Sequence, residues 1–333
     1  MFTKKFSITN IIYPSFIAAQ FVLFGCTNQN LNTTYNQTNQ ATKNNPNLPQ
    51  VVATTSVLCD LTKQVARDTI QLHCLIPPNE EPRLYQPKTE DIQIIKKANL
   101  IFYHGHNLEP SLVKAIKTNK NTAVKIAVGQ IAVPNPQKLQ RKDITFTEPH
   151  VWHNPKNTIR MLEVISNSLK KLSPKDAKIY SNNTKSITNE LNRLDKWIWL
   201  RLSSIPPKNR KLVITHEAML YYAKAYKIPY TNTLMGITTQ DKLTANRVKN
   251  LAENIQKSKA RTIFIDNTTN PDLFAPISKA ANIQVFPRQL YIDGLGKPGS
   301  EAETYQQMME ANTRTIVEGL GGTYLKFEPK ITQ

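Results

Sequence analysis

Between Pro174 and the pair Pro206-Pro207 the chain has no internal proline or glycine, and its apolar residues Ile179, Ile187, Leu191, Leu194, Ile198 and Leu202 follow intervals of three, four and one eight. That spacing predicts one helix from Pro174 to Ile205, stopped by two residues that cannot continue it. A helix of about 30 residues spans roughly 45 Å, the width of a domain. It divides the sequence into two parts, and each reads as strands alternating with helices.

Before the long helix, Val51–Thr55, Ile70–Ile76, Leu100–Tyr103 and Val124–Val128 are short β-rich runs. Val57–Ala66, Thr89–Ala98, Leu112–Ile116 and Pro155–Leu172 have helical spacing. After it, strands are expected at Lys211–Thr215, Arg261–Ile265 and Ile283–Phe286. Helices are expected at Glu217–Tyr226, Asp241–Lys257, Pro271–Ala281 and Glu301–Leu320. Such alternation predicts an α/β fold: two lobes, each with a mainly parallel sheet flanked by helices, joined by one long helix. The polar stretch Gly129–Thr147 reads as a long connection. A chain of 333 residues with 40% hydrophobic content can give each lobe a core of its own.

The first 25 residues read as an export signal, with Lys4 and Lys5 ahead of the apolar run Ile11–Phe24. The run is shorter than the roughly 20 residues a membrane span needs. Leu23-Phe24-Gly25-Cys26 resembles the bacterial lipobox, which implies lipidation at Cys26, although Phe24 is bulky there and plain secretion is the alternative. Residues 26–50, rich in Asn, Gln and Thr, read as a flexible tether. The expected order is thus a signal at 1–25, a tether at 26–50, an N-terminal lobe at 51–173, the linking helix at 174–205 and a C-terminal lobe at 206–333. Cys59 and Cys74 are close enough in the predicted first β-α-β unit for a disulfide, with two buried thiols as the other reading.

The formal net charge is +19, from Lys+Arg 43 against Asp+Glu 24. Nucleic acid is not the expected partner: the lysines are scattered along helices, and no recognition motif accompanies them. A solvated basic surface is preferred.

Chemistry centres on the histidines, of which there are six (73, 104, 106, 150, 153 and 216). Glu148-Pro-His-Val-Trp-His-Asn-Pro155 puts two imidazoles three residues apart in a turn, with Pro155 placed to open a helix. His216 ends a predicted strand, and Asp293 lies between the last strand and the closing helix. Strand ends and lobe interfaces are where ligands gather in such folds, and nitrogen with carboxylate oxygen suits Zn²⁺, Mn²⁺ or Fe²⁺. His153 is expected to be structural. No His-Glu-x-x-His, Gly-x-Ser-x-Gly or phosphate loop appears, which sets a hydrolase using His150, His216, Asp293 and Glu217 below a binding protein.

The motif order from about Val51 to Leu320 (Val51-Val-Ala-Thr-Thr-Ser56, Tyr85-Gln-Pro87, Pro149-His-Val-Trp-His-Asn-Pro155, Thr215-His216, Leu290-Tyr-Ile-Asp293) resembles the solute-binding lipoproteins of zinc and manganese ABC importers, cluster A-I. The resemblance implies a monomeric, non-enzymatic receptor tethered outside the cytoplasmic membrane. It would carry a divalent transition metal, zinc or manganese, to ABC permease and ATPase subunits. It also implies that His150, His216 and Asp293 are the second, third and fourth ligands, with His216 leaning towards zinc. The first ligand of the family is a His two residues before a Tyr, and that position here is Arg83.

Arginine offers donors only and stays protonated, so it cannot bind a cation. Three outcomes stand open. Arg83 turns outward, with water or a substitute ligand (His104 or His106, less suitably Glu217, Glu80 or Glu81) completing the site; Arg83 pairs with Asp293 and no metal binds; or the cleft takes a small anion or a metal–anion complex. The His-rich collecting loop of zinc-type relatives is missing from Gly129–Thr147, and the positive charge steers anions rather than cations.

Overall fold

The computed structural model describes residues 47–141, 144–214, 217–231 and 244–329, all within the unit Lys43–Gln333. The export signal, Cys26 and nearly all of the tether lie outside the described residues, as do Thr215 and His216.

The first half opens with β1 (Gln50–Ala53), α1 (Ser56–Ala66) and β2 (Gln71–Cys74), then α2 (Thr89–Lys97), β3 (Leu100–Tyr103), α3 (Pro110–Thr118) and β4 (Val124–Ala127). The four strands form a parallel sheet in the order β2-β1-β3-β4, with Val51 beside both Leu72 and Leu100. Val51, Val52 and Ala53 of central β1 are fully buried, as expected of a parallel strand covered on both faces. At its end Thr55 caps α1, its side chain accepting from the Leu58 amide. Val57, Leu58, Leu61 and Val65 of α1 then turn one apolar face inward.

The stretch read as a plain connection is more ordered than expected. It contains α4 (Val128–Ala132) and an antiparallel hairpin of β5 (Lys138–Arg141) and β6 (Ile144–Thr147). The hairpin's last ladder bond, from the Glu148 amide to Gln137 O at 2.9 Å, delivers the chain to the Glu148–His150 turn. α5 (Pro155–Leu172) follows, capped by Asn154, whose side chain accepts from the Lys156 amide.

The long helix α6 runs Ala177–Ser203 after a short 3-10 turn, Pro174–Asp176. Its first inward residue is Tyr180, fully buried, whereas Ile179 is 42% exposed. The eight-residue step from Ile179 to Ile187 would rotate the stripe by about 80°, and the seven-residue step from Tyr180 by only about 20°. The apolar body of tyrosine fills the site better than the more hydrophobic residue one position off the stripe.

The second half supplies β7 (Leu212–Val213), α7 (Leu220–Ala225), β8 (Tyr230–Thr231), α8 (Ala245–Ser258), β9 (Thr262–Ile263), α9 (Ala275–Ala281), β10 (Gln284–Val285) and α10 (Tyr305–Gly319). Each strand pair is parallel, and the bridge Ile214–Phe264 joins β7 to β9. β8 escaped the sequence reading. α10 begins at Tyr305 rather than Glu301, because Thr304 and Gln307 form a capping box.

One apolar cluster runs from Val51, Leu58 and Trp152 through Leu191 and Ile198 of α6 to Phe264, Tyr305 and Val317. The two halves share this core, where separate ones were expected. Smaller clusters line the outer sides of the sheets. Cys59 and Cys74 are bonded, with Cα atoms 5.6 Å apart, tying α1 to the end of β2. The bridge closes a 15-residue separation, so its reduction is expected to lower stability by about 3 kcal/mol. The urea midpoint with and without reductant checks this. Among the described residues no helix is long and apolar enough to cross a membrane.

Candidate metal centre

Glu148-Pro149-His150 leaves the β5–β6 hairpin and enters the 3-10 turn Val151–His153, which Asn154 and Pro155 convert into α5. The turn is short enough for one carboxylate to hold its own chain twice. Glu148 Oε1 accepts from the His150 amide at 2.9 Å and bonds the same residue's Nδ1. With Nδ1 held there, Nε2 is directed to the far side of the ring, where it lies 3.0 Å from Asp293 Oδ1. His150 and Glu148 are fully buried and Asp293 is 3% exposed. Two of the three ligands expected from sequence, 143 residues apart, thus meet at one point.

Burial works against a charged imidazole, but Glu148, helped by Asp293, outweighs it and raises the pKa of His150. Burial likewise pushes Glu148 up, yet His150, with a smaller contribution from Arg83, holds it below the usual carboxylate value. The arrangement is a buried carboxylate–imidazole–carboxylate chain in which both carboxylates favour the protonated ring. Its Nε2 and Oδ1 face one another as a nitrogen and an oxygen donor would across a small cation.

The Asp293 side is built by backbone bonds. Leu290 N donates to Ile265 O and Leu290 O accepts from Asn267 N, at 2.9 and 2.8 Å. His153 Nε2 donates to Ile292 O at 2.9 Å, and burial lowers its pKa to about 4, with repulsion from His150 adding to the effect. His153 therefore braces the loop carrying Asp293, the structural place expected of it. Beyond the aspartate, Leu295 N donates to Ser56 Oγ at 2.9 Å. Gly294 permits that approach, since a Cβ there would stand 2.5 Å from the same oxygen.

The substitutes proposed for the first ligand are engaged elsewhere. His104 Nε2 bonds Pro149 O at 2.6 Å, and burial lowers the His104 pKa to about 3. His106 Nε2 bonds Val133 O at 3.1 Å. Both nitrogens pin loops and are not turned towards Asp293; a strand-end position alone could not reveal this. Gly129 fits beneath His104, where a Cβ would come within 2.5 Å of the ring. Glu80 is exposed and Glu81 half-buried. His216 lies outside the described residues, and of Glu217 only the backbone, in the 3-10 turn Glu217–Met219, is described. Among the described residues no group of three or more His, Cys, Asp or Glu is arranged to hold a metal ion. Arg83 is half-buried. Its charge registers on Glu148, while Oδ1 of Asp293 is taken by His150 rather than by a guanidinium.

Two buried carboxylates near these residues went unassigned in the sequence. Glu148 is one, and its signal was its place two residues before His150 with a proline between. Glu109 is the other: fully buried, it accepts from His104 N at 2.6 Å and Thr54 Oγ1 at 2.9 Å. Burial raises its pKa from 4.5 to about 7 despite those bonds. An acid whose pKa rises on folding stabilises the fold fully below its unfolded value and loses that contribution as pH climbs through the folded one. Stability is therefore expected to fall by about 3 kcal/mol between roughly pH 4.5 and 7 on account of this group. Glu109→Gln keeps the acceptor, and its denaturation midpoints should lack this component of the slope.

The zinc-uptake complex component A periplasmic family (ZnuA) matches residues 51–319. The manganese ABC transporter substrate-binding lipoprotein PsaA of Streptococcus mitis is 31% identical over 281 residues, covering 81% of this chain and 89% of that protein. The metal ABC transporter substrate-binding lipoprotein SsaB of Streptococcus sanguinis is 30% identical over 314 residues, covering 91% and 96%. Among solved structures, the periplasmic zinc binding protein TroA from Treponema pallidum superposes with a TM-score of 0.74 at 26% identity, covering 82% of this chain and 99% of that one.

Proposed function

Because the chain belongs to the periplasmic zinc-uptake component A family, we propose that it is the extracytoplasmic solute-binding protein of a metal ABC importer. It captures zinc or manganese between its halves and hands the ion to the permease. It works as a binding protein, without turnover, alongside the permease and ATPase subunits, as a monomer held to the membrane through a lipid on Cys26. Residues 51–173 and 206–333 act as its lobes and 174–205 as the link.

The observation that carries this reading is the meeting of His150 Nε2 and Asp293 Oδ1 at 3.0 Å in a buried position. The cargo ion takes the place of the proton between them, with His216 as the third protein ligand. Glu148 keeps His150 in the orientation that leaves Nε2 for the metal, the outer-sphere role a carboxylate plays behind a metal-binding histidine. α6 keeps the body stiff, since bending an unbroken helix is costly. Release then falls to the loops that carry the ligands.

Titration of metal-stripped protein with Zn²⁺ and Mn²⁺ tests the proposal. One ion per chain is expected, with weaker binding in His216→Ala. Native protein that takes up neither ion would overturn it.

A further inference from the structure

α10 touches both sides of the site without contributing a ligand. Near its start the Tyr305 hydroxyl donates to Trp152 O at 2.7 Å, two residues beyond His150, and accepts from Thr158 Oγ1 at 3.0 Å. Two helical turns later Asn312 grips the peptide of Tyr291, two residues before Asp293. Its Oδ1 accepts from Tyr291 N at 2.8 Å, and its Nδ2 donates to Tyr291 O at 2.7 Å. Seven residues bring a helix back to nearly the same face, and both side chains are fully buried.

The double bond from Asn312 has a definite geometric content. The parallel pairing of this segment ends with the bridge Asp266–Leu290. At the next residue the amide side chain supplies one donor and one acceptor, as a neighbouring strand would. Tyr291 is thereby held in register with α10, and His153 holds the following carbonyl. The same helix face thus fixes the turn after His150 and the turn before Asp293 against a single rigid rod.

We propose that Tyr305 and Asn312 are positioning residues: α10 is the gauge that sets the gap between His150 Nε2 and Asp293 Oδ1, and through it the affinity for the cargo ion and the preference between Mn²⁺ and Zn²⁺. This rests on the assignment of His150 and Asp293 as ligands. Manganese takes more ligands at longer distances than tetrahedral zinc, so a gap that is no longer held affects the two ions unequally.

The test is a double-mutant cycle on the full chain, stripped of metal, with Zn²⁺ and Mn²⁺ dissociation constants read by competition against a chromophoric chelator. Asn312→Ala is expected to weaken binding by about 10–100-fold, the range found for lost outer-sphere partners, and to change the Zn²⁺/Mn²⁺ ratio. In an Asp293→Ala background the further effect of Asn312→Ala should shrink to about twofold, because the group it positions is gone. Ile277→Val, in a separate apolar cluster, controls for destabilisation alone and should leave both constants unchanged. If Asn312→Ala does not fold, Tyr305→Phe, which removes only the hydroxyl, is read in the same way against a His150→Ala background, since His150 is the group whose turn it holds. Losses of equal size with and without Asp293, or constants within twofold of native while Asp293→Ala binds weakly, would overturn the gauge. An Asp293→Ala protein that binds as native does would instead overturn the ligand assignment beneath it.

Discussion

His150→Ala is expected to weaken metal binding by at least about a hundredfold and to cost the metal-free protein about 3–5 kcal/mol of stability. The first figure follows from dividing the roughly 10–16 kcal/mol of a four-ligand zinc site among its ligands, which gives about 3 kcal/mol for each. The second follows from the carboxylates left behind. Glu148 is fully buried, its Oε1 is bound to His150 twice, and its Oε2 has no hydrogen-bond partner among the described residues. Removing the imidazole strands a buried negative charge, the most expensive way to break such a pair. Asp293 loses its bond from Nε2 as well. Urea denaturation of stripped protein gives the stability term, and chelator competition gives the affinity. Glu148→Gln added to His150→Ala should recover part of the stability and none of the affinity, since a neutral amide does not need the lost cation. A His150→Ala protein as stable as native would mean that Glu148 does not depend on the imidazole for its buried position.

What the sequence made legible, and what it did not, follows the range of the forces involved. β1 and β3 were readable because a strand covered on both faces is apolar throughout, and that property is local. α6 was readable from its apolar stripe, yet Ile179 was placed inward because hydrophobicity outweighed a phase error that the buried Tyr180 corrects. The β5–β6 hairpin was missed: Ile144-Thr-Phe-Thr147 does alternate, but over only four residues, its partner Lys138-Leu-Gln-Arg141 offers a single apolar residue, and the hairpin is held in part by bonds to distant groups, such as Gln137 N to the Tyr221 hydroxyl. Of the two-residue strands of the second half, β7, β9 and β10 were readable from their short apolar runs, and β8 was missed.

The candidate site divides in the same way. Asp293 and His150 were legible through motif order. Glu148, Asn312 and Tyr305 were not, because each acts by a bond to a backbone whose position only the fold determines. His104 shows the converse. A histidine at a strand end looked available as a ligand, and a bond to Pro149 O from 45 residues away gives it a structural task.

Arg83→His is expected to tighten binding of Zn²⁺ by at least about tenfold. Arg83 lies in the loop between β2 and α2, whose two ends are fastened. Tyr85 donates to Asp91 Oδ2 at 2.8 Å and to Leu75 O at 3.2 Å. Asn79 donates from its amide to Leu295 O at 3.2 Å and accepts from Asn267 Nδ2 at 2.8 Å, which ties the loop to the segment just past Asp293. Position 83 therefore sits on a loop whose backbone is fastened, and the charge of Arg83 acts on Glu148, the partner of His150. Two effects then separate. Removing one positive charge from the neighbourhood of a divalent ion relieves roughly 2 kcal/mol, taking about 8 Å and an effective dielectric of about 40. An imidazole that reaches the ion adds a fourth protein ligand, worth about 3 kcal/mol on the division used above. Arg83→Ala isolates the first effect, and its gain should shrink as salt screens the charge; the further gain of Arg83→His over Arg83→Ala should persist at high salt. Equal affinities for the alanine and histidine variants would show that an imidazole at 83 does not reach the ion. Weaker binding in both would make Arg83 a contributor to capture and reverse the sign assigned to its charge.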